Sequence, residues 1–81
     1  MKSYFLDGAQ MDTREKAHDY LAKTLEFPDY YGKNLDALYD CLTEMSKTEM
    51  MILYSFAVDD DIKRVMADAA EANPKLTVYM A

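Results

Sequence analysis

Cysteine is nearly missing from this 81-residue chain: Cys41 stands alone. No internal disulfide and no thiolate zinc cluster can form, which fits a reducing compartment. Basic residues are scarce too, 9 Lys+Arg against 15 Asp+Glu, leaving a formal net charge of −6. Nucleic acid and anionic membrane surfaces would repel such a chain, so neither is an expected partner, and a basic partner is. Long hydrophobic runs are also lacking. The longest wholly apolar stretch, Met50 to Tyr54, falls far short of the ~20 residues a membrane-spanning helix needs. The apolar stretch before Asp7 is too short for a signal peptide. The expectation is a soluble cytoplasmic protein. Repeats, low-complexity tracts and long linkers are absent as well.

What is present fits one globular domain over residues 1–81, since two cores would leave each half below about 50 residues. Hydrophobic residues make up 51% and charged residues 30%, a balance that separates the chain from a disordered acidic tail. A chain this short has little left, once a core is built, to wall off a substrate from water. A non-enzyme is expected, with no cofactor and no metal.

Tyr4-Phe5-Leu6, stopped by Asp7-Gly8, reads as a short buried strand. Asp12 and Glu15 stand in capping-box spacing and open a helix to about Leu25, with Ala17, Tyr20, Leu21 and Leu25 at three- and four-residue steps. Phe27-Pro28-Asp29 breaks it. After the loop Tyr30-Tyr31-Gly32, Asn34 is a good N-cap for a second helix, Leu35 to about Met45. Met50 to Tyr54 reads as a strand buried on both faces. Asp59-Asp60-Asp61 leads a third helix through Ile62, Val65, Met66, Ala69 and Ala70, stopped by Asn73-Pro74. Leu76 to Met80 is a last strand. Strand, two helices, strand, helix, strand predicts an α/β fold: a small three-stranded parallel sheet packed with helices.

The second helix carries the most information. At 100° per residue, Leu35, Leu38, Leu42 and Met45 fall within about 80° of one another and form the inward face. Asp36, Asp40 and Thr43 cluster about 100–120° away, with Glu44 just beyond and Tyr39 on the border. Asp36 and Asp40 stack one turn apart with no Lys or Arg at helix spacing between them, a like-charge pair that costs an isolated helix a few tenths of a kcal/mol. A solvated helix face is the plain reading of two carboxylates. The neighbouring tyrosines 30, 31 and 39 give the stripe the composition of a partner-binding surface.

Other constellations are weaker. Asp59-Asp60-Asp61 suits a hard cation in residue type, but consecutive residues at a helix start diverge, and capping accounts for them. His18 and Cys41 could be base and nucleophile, yet Cys41 lies beside an apolar face and His18 has no orienting partner in the pattern. Asp36 and Asp40 as acid and base of a hydrolase would need burial to keep one protonated. The seven methionines form no stripe and read as core filler.

Phe27 to Glu44, FPDYYGKNLDALYDCLTE, resembles the signature segment of the barstar family, intracellular inhibitors of secreted microbial ribonucleases. Tyr30-Tyr31-Gly32, Asn34, Asp36-Ala37-Leu38 and Asp40-Cys41-Leu42-Thr43 match it in one ungapped run. Asp7-Gly8, Gln10 and His18 fall in the same register. The resemblance implies a protein that blocks the cationic active site of a basic, barnase-like ribonuclease with its second helix and preceding loop. It places Tyr30, Asn34, Leu35, Asp36, Tyr39, Asp40 and Thr43 at interface positions, with Asp40 entering the phosphate-binding pocket. Glu44 adjoins them, and Asp68 matches an acidic position on the last helix. The free chain is expected to be a monomer. The alternative is a module of the same fold that binds another basic protein.

Overall fold

The computed structural model describes residues 1–81. Its strands are β1 (Lys2–Asp7), β2 (Thr48–Leu53) and β3 (Leu76–Met80); its helices are α1 (Arg14–Thr24), α2 (Leu35–Thr43) and α3 (Asp60–Ala72). Short 3₁₀ turns at Gly8–Met11 and Ser55–Ala57 follow β1 and β2. The strands lie in the order β1-β2-β3, both pairs parallel. This is the α/β architecture expected.

Capping residues explain where each helix begins. Asn34 Oδ1 accepts from the Ala37 N–H at 2.8 Å, and Asp59 accepts from the N–H groups of Asp61 and Ile62. Each ties down backbone donors that the first turn leaves unpaired. The triple aspartate is thus a cap with two acidic residues in the positive first turn. The α1 cap differs from expectation. Thr13, not Asp12, accepts from the Lys16 N–H, and Asp12 instead meets Lys16 Nζ at 3.3 Å.

The core forms where the helices cover one face of the sheet. Leu6, Met50, Ile52 and Leu76 point into it, against Leu21 of α1, Leu38 and Leu42 of α2, and Ile62, Met66 and Ala69 of α3, all of them buried. The opposite face corrects the expectation that β1 and β2 are buried on both sides. Phe5, Leu53 and Tyr79 are exposed there, and β2 alternates buried with half-buried residues. Strand order explains it. A right-handed crossover between sequential neighbours places its helices on one side, and a sheet that never reverses its order keeps them all on that side.

Candidate protein-binding site

The site is built from the loop at residues 26–33 and α2. Glu26 and Lys33, at the two ends of the loop, both take left-handed backbone conformations (φ 57° and 52°). Tyr31 anchors the loop inward. Its hydroxyl lies 2.6 Å from Nδ1 of the buried His18, and its ring packs at a tilt on Phe27, centroids 4.8 Å apart. Burial pushes the Tyr31 phenol well above its usual range. Burial also lowers the His18 pKa, with the nearby Arg14 charge adding to it, so the charged imidazolium is disfavoured. With Tyr31 fixed inside, the adjacent Tyr30 projects outward, 88% exposed. Two readings are corrected here: Tyr31 is a core residue rather than part of an exposed aromatic cluster, and His18 does have an orienting partner.

α2 is held at both ends. Asn34 caps its start, and the side-chain amide of the buried Asn73 donates to the carbonyls of Leu42 and Met45, each at 3.1 Å. Asn73 thus satisfies two acceptors at the C-terminal end of α2 while ending α3. Sequence reasoning read Asn73-Pro74 only as a helix stop, since nothing in a local pattern shows where a buried amide points.

Between these clamps α2 turns Leu38 and Leu42 to the core, while Leu35, Ala37, Cys41 and Met45 are partly buried at its edge. Asp36, Tyr39, Asp40 and Glu44 are exposed. The Thr43 hydroxyl donates to carbonyls of its own helix, to Tyr39 at 2.9 Å and Asp40 at 3.1 Å. Asp68 is exposed on α3, the helix packed beside α2. The ion pairs of the molecule lie elsewhere: Arg14 and Arg64 with Asp61, Lys16 with Asp12, and Lys33 with Asp19. Asp36, Asp40, Glu44 and Asp68 have no cationic partner.

Tyr30, Asp40 and Glu44 meet around an open groove of about 450 Å³ between loop and helix, floored by Phe27, Cys41 and Met45. Asn34 and Leu35 line a separate polar hollow beside α1. Asp36, Tyr39, Thr43 and Asp68 line neither. The floor residues Phe27 and Met45 had read only as a helix break and as core. A groove with an apolar floor and a carboxylate rim suits a side chain with an apolar stem and a cationic head.

Catalytic readings lose their footing. Asp36 and Asp40 are both exposed, without the buried environment that an acid–base pair of carboxyls needs. Burial, then Glu44 and Asp40, raise the Cys41 pKa and disfavour the thiolate, while His18 Nδ1 is engaged by Tyr31.

A one-sided parallel sheet carrying an unpaired acidic helix defines a class of small α/β proteins in which the surface helix, not a cavity, is the distinctive feature. Comparison with known proteins narrows it: the family described as Barstar (barnase inhibitor) matches residues 1–77, and the chain belongs to that family. A relative from Bacillus subtilis (strain 168), named "Putative ribonuclease inhibitor YrdF", is 38% identical over 80 residues, covering 88% of each chain.

Proposed function

We propose that this chain inhibits a basic, barnase-like ribonuclease by laying α2 and the loop before it across the enzyme's cationic active site. The observation that carries the reading is the set of exposed carboxylates Asp36 and Asp40 on α2 and Glu44 at its C-cap, none of them paired within the chain. A ribonuclease must present cations to hold RNA phosphates, and a rigid helix of unpaired carboxylates is complementary to such a surface. Family membership and the relative's name support the same partner class.

In this reading Tyr30 and Tyr39 supply aromatic contact, and Asn34, Leu35 and Thr43 complete the central patch. Asp36, Glu44 and Asp68 add charge around Asp40, whose carboxylate takes the place of a substrate phosphate. The protein is then a binder rather than an enzyme, acting in the cytoplasm as the immunity partner of a secreted nuclease.

Asp40→Ala tests it. Desolvated against the nuclease's cations, Asp40 would leave them stranded when removed. The expected loss is about 2–5 kcal/mol of binding, the range for truncating one partner of a buried charge pair, nearly all in the dissociation rate. Asp29→Ala, outside the helix, should lose far less. Titration of both variants against a basic secreted ribonuclease from the same genome decides it. Parental binding by Asp40→Ala would end the phosphate-mimic reading, and no binding by the parent chain would favour a different basic protein.

A further inference from the structure

We infer that the helix-free face of the sheet pairs with the same face of a second copy of this chain, forming a weak two-fold dimer that leaves α2 free. Strand register aligns Phe5, Met51 and Tyr79 in one row across all three strands. Phe5 is 73% and Tyr79 50% exposed, and Leu53, 40% exposed, continues the strip on β2. The only acidic residues whose strand positions fall on this face are Glu49 and Asp7, near its two ends. The centre of the face is therefore uncharged in a chain that carries −6 overall.

That charge distribution selects the occupant. A basic partner is drawn to the acidic helix, which lies in the layer on the other side of the sheet, and gains no charge complementarity here. Copies of the chain repel one another through most of their surface, so an uncharged face is where two of them can approach. The rows are also self-complementary. With the two-fold axis running across the strands, Phe5 meets Phe5, Met51 meets Met51 and Tyr79 meets Tyr79. Glu49 then lies over Leu53 and Asp7 over Ser3, so no carboxylate faces another. The other axis, along the strands, would set Glu49 against Glu49.

Area sets the strength. Three strands about 4.8 Å apart and about 20 Å long cover roughly 300 Å², whereas a stable interface buries about 800 Å² per partner. The dimer is therefore a weak one, which restricts the expected free monomer to dilute solution.

Sedimentation velocity of the full chain, at micromolar and millimolar concentration and at low and high salt, tests the pairing. The expected result is a monomer when dilute and a rising dimer fraction when concentrated, favoured by salt that screens the −6 charge. Phe5→Lys and Tyr79→Lys, on opposite edges of the sheet, should each weaken association at least about tenfold. Both should keep the parental urea midpoint and nuclease affinity, and Glu49→Gln should strengthen the dimer. A monomer at every concentration overturns the proposal, as does a dimer indifferent to both lysine variants. Loss of nuclease binding in Phe5→Lys would assign the face to the nuclease instead, and equally overturn it.

Discussion

Gly8 shows what a single atom decides in this fold. A Cβ built there would sit 2.3 Å from the Tyr54 carbonyl oxygen and 2.5 Å from that of Leu53, both backbone atoms that no rotamer change can move. The sequence marks Asp7-Gly8 as a turn, yet Gly8 has no positive φ; the requirement is close approach between the ends of β1 and β2, which no local pattern reveals. Gly8→Ala should destabilise by about 1–3 kcal/mol in urea melts, the usual cost of overpacking. His18 gives the pH dependence. Its folded pKa lies below the ordinary 6.5 because burial, then Arg14, disfavours the charged form. The unfolded chain therefore binds the proton more readily, and stability present above about pH 6.5 is lost as pH falls towards the folded value. Asp19 and Asp61, held low by Lys33 and Arg14, respond only in more acidic solution. Urea midpoints should thus fall between pH 7.5 and pH 5.5 in the parent and change little in His18→Gln; an unchanged parental midpoint would refute the lowered His18 pKa.

The elements were legible wherever a local signal sets their ends. Asn34 and Asp59 act as the caps expected, and the Leu38–Leu42 face is the buried one. β2 starts at Thr48 rather than Met50, because pairing with β1 and β3 extends it through polar residues that a search for apolar runs passes over. The exposed sheet face was illegible for a related reason: three apolar residues in a row look alike whether both faces or one is covered, and strand order decides. Leu38→Ala should cost about 2–5 kcal/mol, a large share of a total near 5–15 kcal/mol. Asp36→Ala should be neutral or slightly stabilising, because it relieves like-charge repulsion one turn from Asp40. The opposite ranking in urea melts would mean that α2 presents its other face. Asn73→Ala, leaving the Leu42 and Met45 carbonyls without their side-chain donor, should cost about 1–3 kcal/mol.

At the scale of the whole molecule, charge placement matters more than charge number. Arg14, Lys16, Lys33 and Arg64 are all engaged by aspartates outside α2, and no cation of the chain forms an ion pair with the carboxylates of the acidic helix. In the proposed complex that helix meets a surface of opposite sign, and the net −6 adds long-range attraction before any contact forms. Such attraction is screened beyond about 8 Å at physiological ionic strength, whereas short-range contacts in a closed interface are screened far less. Salt should therefore slow association steeply and leave dissociation nearly unchanged. The two rates also separate the residues. Asp40→Ala should act mainly on dissociation, because its effect is a stranded buried charge, while neutralising Asp68 on α3, at the edge of the proposed patch, should act mainly on association and reduce the salt slope. Stopped-flow association of the parent, Asp40→Ala and Asp68→Asn with the nuclease at low and high salt reads both. An association rate indifferent to salt would remove steering and leave the acidic helix a role only after contact.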